Sequence, residues 1–329
     1  MLSAVKILFT SSMVTSFIRE DLALLRKHHD VDHLITRGVF APFAVFLRFL
    51  RADLSYTWFA SVYSFAVVLS GRLLGKPTIV VIGGVDASRE PEIGYGIWLS
   101  RWKSVLVRWA MRNATRLLVV DPYFIGQVRS LAAYDAANVR YVPTGYDALL
   151  WSPAGRKEQV VLTVAACHDR ERMRKKGLDV LFRTAALMPR TSFVVAGIMQ
   201  TVLADARAEA PPNVTIHSFV DRAELLALYR RAKVYCQPSY TEGLPNSLCE
   251  AMLCGCVPVG SEVGGIPTAI AGVGYLVPRG DVPALAAALA AALDAPPEAG
   301  GHARARIASE FPLERREREV LAVLGDVTA

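Results

Sequence analysis

No run of apolar residues in this sequence is long enough to span a bilayer. The nearest, residues 61–74 (SVYSFAVVLSGRLL), is too short and is interrupted near its end by Arg72, so it reads as a core helix. The amino-terminal stretch Met1–Thr10 is too short an apolar run for a signal peptide, and a helical pattern follows at once. Cysteine is scarce and odd in number. The five residues, Cys167, Cys236, Cys249, Cys254 and Cys256, lie in or beside apolar stretches, and the only close trio has no histidine beside it. Disulfides and a zinc site are therefore not expected. Buried reduced thiols are, and with them a cytoplasmic protein. The six histidines show no metal-ligand spacing, and His168 beside Asp169 reads as a loop residue. No nucleic-acid motif is present, and neither metal nor cofactor is expected.

What the sequence does contain is enough apolar material for two cores: 329 residues, 53% apolar and 20% charged. The net charge of +7 is unevenly placed, +6 in residues 1–150 and +1 in residues 151–329. A basic first half attracts an anionic acceptor or an anionic membrane surface. Short apolar runs alternate with helical periodicity throughout. In the first half strands are predicted at Val5–Thr10 and at 31–36, 54–59, 77–83, 115–121 and 139–144, with a helix at Phe17–His28. In the second half they fall at 160–166, 191–197, 213–219, 233–239, 256–261 and 274–278, and Leu313–Leu324 reads as a final helix. Strands separated by helices pair in parallel, so the fold class is α/β with two doubly wound sheets. Such sheets bind ligands at the carboxyl ends of their strands. Pro and Gly break the alternation at Pro143–Pro153, the expected hinge.

The densest chemical signal is Pro238–Cys256 (PSYTEGLPNSLCEAMLCGC). A strand ends, a loop with Gly243 and Pro245 follows, and a helix is predicted to start near Asn246 or Ser247, both good N-cap types. A helix N-terminus suits a diphosphate. Glu242 in the loop and Glu250, placed in the first turn, are spaced Glu-x7-Glu. An ionised carboxylate only accepts hydrogen bonds, so it can hold both hydroxyls of a vicinal diol. On spacing alone, a cap with a dipole-compensating glutamate explains the pattern as well.

The stretch resembles the Glu-x7-Glu signature of the retaining glycosyltransferases of family 4. Lys175-Lys176-Gly177-Leu178-Asp179 resembles that family's Lys-Gly element. Val142–Asp147, running on to Ser152-Pro153, resembles its interdomain linker. Gly264-Gly265-Ile266-Pro267 followed by Gly274–Pro278 resembles its glycine-rich segment. The resemblance implies the GT-B fold of two facing Rossmann-like domains. An acceptor-side domain would occupy residues 1–147 and a nucleotide-sugar domain 148–311, with a helix over 312–329 crossing back to the first. It implies transfer from a nucleotide-diphosphate sugar to a glycan or lipid-linked acceptor, with retention and without an essential metal. Glu250 would hold the ribose diol and Glu242 the donor-sugar hydroxyls. Gly243 and Leu244 would approach sugar and phosphates, with Ser247 at the helix start. Lys176 would neutralise the diphosphate, and Phe219 and Val220 would lie against the base or belong to the core. A sugar-nucleotide epimerase or hydrolase, and a binding protein without transfer chemistry, stay open as alternatives.

Three departures from the family pattern stand out. The expected Gly-Arg is replaced by Ala165-Ala166-Cys167, leaving Arg170 or Arg172 to accompany Lys176. Thr268 stands where a Glu is common. Ser11–Ser16 (SSMVTS) replaces a glycine loop. In the first half no histidine follows Gly83-Gly84, so Asp86 is the candidate to act on the donor sugar, unless it is a turn residue; Glu90 and Glu92 are weaker candidates. Trp98, Trp102, Val105, Leu106 and Trp109 are placed on one helical face amid Arg101, Lys103, Arg108 and Arg112, and Val39–Arg51 repeats the theme. Such faces either pack inward or dock on a bilayer, as in a peripheral protein at the inner membrane face.

Overall fold

A computed structural model describes residues 4–328; the first three residues of the Met1–Thr10 run and Ala329 lie outside the described residues. The chain divides into two compact units. One comprises the chain up to Thr144 together with the segment from Glu314 onward, the other Gly145–Leu313.

The first unit is built on β1 (Lys6–Ser11), α1 (Ser16–Arg26), β2 (Asp30–Ile35), α2 (Ala41–Phe49), β3 (Leu54–Trp58), α3 (Val62–Leu74), β4 (Thr78–Ile82), α4 (Arg101–Asn113), β5 (Arg116–Val119), α5 (Tyr123–Ala132) and β6 (Val139–Tyr141). The strands form one parallel sheet in the order β2-β1-β3-β4-β5-β6. Its central strands are buried along their whole length; β4 reads Thr-Ile-Val-Val-Ile with all five residues buried. That is the pattern of a strand covered on both faces. Right-handed crossovers put α2–α5 on one face and α1 on the other, because the winding direction reverses after β2.

The second unit runs β7 (Glu158–Cys167), α6 (Arg170–Lys175), α7 (Leu178–Leu187), β8 (Ser192–Ile198), α8 (Gln200–Glu209), β9 (Val214–Ile216), α9 (Arg222–Arg231), β10 (Ala232–Gln237), α10 (Asn246–Leu253), β11 (Val257–Ser261), α11 (Ile266–Ile270), β12 (Tyr275–Val277), α12 (Val282–Asp294) and α13 (Glu298–Glu310). Its sheet is also parallel, in the order β12-β11-β10-β7-β8-β9. The architecture is therefore two Rossmann-like domains, as the α/β alternation predicted. The five cysteines are free and buried, and burial pushes the Cys236 thiol up to about 12.

The last helix, α14 (Leu313–Thr328), is held in the first unit by one buried ion pair. The Arg316 guanidinium, 2% exposed, donates from Nε to Asp21 Oδ1 at 3.0 Å and from Nη2 to Asp21 Oδ2 at 2.7 Å. It also donates to the Val142 carbonyl at 2.6 Å and to the Tyr56 hydroxyl at 3.0 Å. The Tyr56 hydroxyl and the Trp58 indole N–H donate in turn to Asp21 Oδ2 at 2.8 and 2.9 Å.

Candidate active site

In the second sheet the strand order reverses between β7 and β10, and the crevice beyond the carboxyl ends of such a pair is where open α/β sheets take their ligands. The segments leaving these two strands carry the lysine and the first glutamate of the sequence signature. Lys176 Nζ lies 2.6 Å from Glu242 Oε1. The same oxygen accepts from Ser239 Oγ at 2.8 Å and from Gln237 Nε2 at 3.0 Å. Glu242 is buried, 7% exposed. Burial pushes its carboxyl up, but the ammonium groups of Lys176 and Lys175 and the bonds from Lys176 and Ser239 outweigh it. The net position is below the ordinary glutamate value, so the group is a carboxylate.

Backbone contacts fix these loops against one another. Tyr240 N donates to the Lys175 carbonyl at 2.8 Å, and Gly265 N to the Gly243 carbonyl at 3.1 Å. Two glycines permit the approach. Gly177 has φ +70°, and a Cβ there would stand 2.0 Å from the Pro238 carbonyl oxygen. Gly264 has φ +52°, and a Cβ there would stand 2.0 Å from the Glu242 carbonyl oxygen. The Lys-Gly and Gly-Gly elements of the sequence are thus packing requirements of one loop cluster.

Helix α10 begins one residue earlier than a cap at Asn246 implies. Pro245 is the N-cap and no side chain caps the helix. Asn246 instead accepts from the Tyr146 hydroxyl at 2.8 Å, and Ser247 Oγ donates to Gln237 Oε1 at 3.3 Å. Glu250 falls in the second turn, not the first, so compensation of the dipole at the N-terminal turn does not account for it. Its Oε2 accepts from the Tyr229 hydroxyl at 3.1 Å. Tyr229 is itself fully buried, with the Trp151 ring edge-on to it at 5.6 Å.

The remaining expectations divide. Gly243 and Leu244 lie in the same loop as Glu242, with Leu244 buried. Val220 is half-buried and Phe219 is 67% exposed, so Phe219 is not a core residue. Arg170 is committed elsewhere: Nε is 3.0 Å from Asp205 and Nη1 3.3 Å from Glu209, both on α8. Arg172 sits 3.7 Å from Asp169, although its charge is felt by Lys175 and Cys167. The second cation acting on Glu242 is Lys175, which the sequence pattern did not single out. Gln237, Ser239 and Tyr229 were missed as well. The available signal for Gln237 was a polar amide ending the otherwise apolar run Val234-Tyr235-Cys236.

Asp86 lies in the turn after β4. It is fully buried; its oxygens accept from the backbone N–H of Ala60 at 3.0 Å, of Gly83 at 3.1 and 3.2 Å, and of Gly84 at 2.8 Å. These bonds join the turn after β4 to the end of β3, so the carboxylate is engaged by the backbone as a turn residue's would be. Burial pushes this carboxyl up to about 6 from 3.8, against the lowering effect of the backbone N–H groups. A raised folded-state value means stability that is full below the unfolded value and lost as pH rises through about 6. The stability advantage of the native protein over Asp86→Asn should therefore shrink by about 2–3 kcal/mol between acid and neutral pH. Denaturant melts of both proteins across that range check this; a constant difference refutes it.

Residues 158–295 match the family model Glycosyl transferases group 1. A D-inositol 3-phosphate glycosyltransferase of Mycolicibacterium smegmatis is 29% identical over 222 residues, 60% of this chain and 50% of that protein. A glycogen synthase of Mycobacterium tuberculosis is 28% identical over 247 residues, 71% of this chain and 59% of that protein. The chain thus spans little more than half the length of these curated relatives. Among solved structures, sucrose-phosphate synthase from Thermosynechococcus elongatus superposes with a TM-score of 0.78 at 17% identity, covering 98% of this chain and 99% of that one. Anabaena Alr3699/HepE in complex with UDP and glucose superposes with a TM-score of 0.80 at 15% identity, covering 98% of this chain and 100% of that one. At such identities the superpositions establish the fold, which is GT-B. The matched segment, most of the second unit, and the curated relatives make this chain similar to glycosyltransferases.

Proposed function

We propose that the protein transfers a sugar from a nucleotide-diphosphate sugar to a glycan or lipid-linked acceptor, with retention at the anomeric carbon and without an essential metal. We place it at the cytoplasmic face of a membrane as a peripheral protein. The observation that carries the reading is the Lys176–Glu242 pair at the strand-order reversal, with Glu250 eight residues beyond Glu242 on α10. In the reaction the bond between the sugar's C1 and the β-phosphate oxygen breaks. The nucleoside diphosphate leaves with the electron pair, and an acceptor hydroxyl forms the new bond to C1 and passes its proton to the departing phosphate oxygen. Negative charge grows on the departing diphosphate, where Lys176, Lys175 and the uncapped N-terminus of α10 offset it. Glu242 holds the donor sugar's hydroxyls and Glu250, oriented by Tyr229, holds the ribose diol. Phe219 and Val220 face the base. Donor complexes of structural neighbours with UDP and UDP-glucose accord with this class of donor.

Glu250 gives the direct test. Replacing it by alanine removes a charged acceptor from the ribose and should cost about 1.5–3 kcal/mol of nucleoside diphosphate affinity by calorimetry. The same titration on the native protein should be unaffected by EDTA. Unchanged affinity in the variant would take Glu250 out of the site, and affinity restored only by Mg²⁺ or Mn²⁺ after chelation would overturn the cation assignment.

A further inference from the structure

The inward stripes of α2, α3 and α4 are ordinary: Val45 and Phe49, Val67 and Val68, Val107 and Met111 are all buried. Their outward stripes are not. A helix covering a sheet in water normally shows polar residues there. Here Phe43 is 65% exposed, Leu47 45%, Leu73 70%, Trp102 60% and Val105 59%. The turn leading into α2 adds Phe40, 81% exposed. These stripes are neighbours. The helices form one layer on the same sheet face, with α3 packed between the other two. The Phe65 and Trp109 rings meet at 5.1 Å across α3 and α4. Lys76, just past α3, donates to the carbonyls of Phe49, Leu50 and Ala52 at the end of α2.

The expected grouping of Trp98 with Trp102 is corrected by this geometry. Trp98 is buried in a short 3-10 turn, Ile97–Leu99, its indole donating to the Asp86 carbonyl at 2.7 Å. Ser100, extended at φ −91° and ψ 115°, separates that turn from α4, so Trp98 is out of register with Trp102. What projects outward is the Trp102–Val105 edge, with Lys103 Nζ 5.7 Å from the Trp102 ring centre.

Charge identifies the occupant. The sequences of α2, α3 and α4 contain no aspartate or glutamate. Of their cations, Arg48 pairs with Asp32 on β2, and Arg108 and Arg112 donate to the carbonyls of Leu131, Ala132 and Ala133 at the end of α5; Arg72 on α3 and Arg101 and Lys103 on α4 are the cations offered to the surface. Two copies of such a face would repel each other, which disfavours self-association through it. A surface that is apolar just below a layer of negative charge complements it. Among the described residues no helix is long and apolar enough to cross a membrane, so the contact is interfacial. We propose that the outer face of α2–α3–α4 docks on a bilayer containing anionic lipid, with Phe40, Phe43, Leu47, Leu73 and Trp102 entering the headgroup–acyl boundary and Arg72, Arg101 and Lys103 meeting phosphate. This face is independent of the donor site, and its test needs no sugar donor.

The test is flotation of the full chain with empty phosphatidylcholine vesicles, with and without roughly 30 mol% phosphatidylglycerol. Binding should be about tenfold to a hundredfold stronger to the anionic vesicles and should fall as salt is raised. Phe43→Ser with Trp102→Ser should reduce binding to anionic vesicles about tenfold or more, and Arg72→Gln with Arg101→Gln and Lys103→Gln should do likewise, with melting temperatures near the native value. Binding indifferent to lipid charge and salt, or unchanged in the apolar variant, overturns the proposal. So does absence of flotation, including the case in which the face joins two copies and Trp102→Ser dissociates them in sedimentation. The lipid and salt arms use the native protein, so the result stands even if a variant fails to fold.

Discussion

Lys176→Ala is expected to lower sugar transfer by about 10²–10³-fold, the usual scale for one preorganised group removed from developing negative charge. Two effects combine. In the proposed reaction the departing diphosphate would lose a cation, and Glu242 loses the partner 2.6 Å away that keeps a buried carboxyl ionised. With Lys176 gone, burial acts on Glu242 with only Lys175 and neutral donors against it, so its carboxyl should move up. The loss of transfer should then become pH-dependent in the acid range, which a purely structural defect would not produce. Affinity for the diphosphate should fall while affinity for the nucleoside is nearly kept, because Glu250 and its Tyr229 support lie on other elements. Equal losses for the two ligands, with no change in the pH profile, would assign Lys176 to packing. Lys176→Arg restores charge but not shape, since its fork has to enter a site fitted to one nitrogen; partial recovery is expected.

The largest effect on stability should come from Arg316. Replacing it by methionine leaves Asp21 buried with only the neutral donors of Tyr56 and Trp58. Breaking one side of a buried pair typically costs about 3–5 kcal/mol. Adding Asp21→Leu should return much of that loss, because an apolar pair of similar volume has no charge to desolvate. Urea melts of the native, single and double variants form the cycle that checks this. A double variant no better than Arg316→Met would show that the pair's hydrogen bonds to Tyr56 and Val142, rather than charge balance, hold α14 in place.

Much of the fold was legible because burial on both faces writes itself into composition. The central strand β4 and the middles of β7 and β10 read as apolar runs, and the intervening helices as 3.6-residue patterns. Ends were less legible. The strand predicted over 213–219 closes at Ile216 and the one over 139–144 at Tyr141, since pairing partners rather than propensity decide where a ladder stops. At the candidate site, Lys176, Glu242 and Glu250 were visible through their resemblance to the family's motifs, which spacing alone did not decide. The engagement of Arg170 was not, because its carboxylate partners lie on α8, some thirty-five residues or more along the chain. Asp86 was visible as a polar residue at a strand end, but the direction of its carboxylate depends on the N–H groups of Ala60, Gly83 and Gly84. No local pattern encodes that. Trp102 was assigned to the wrong company because a helical wheel assumes one continuous helix, and Ser100 breaks it.

The attachment of α14 to the first unit sets an order of events during synthesis. Arg316 and its neighbours leave the ribosome after every residue of the second unit, although their partners Asp21, Tyr56 and Trp58 are made before that unit. Domains usually mature in the order of translation. Here the second unit can close while the first still waits, its Asp21 carboxylate uncompensated, for the segment that completes it. A nascent chain stalled before Glu314 should therefore display a protease-resistant second half attached to a cleavable first half, the reverse of the common pattern.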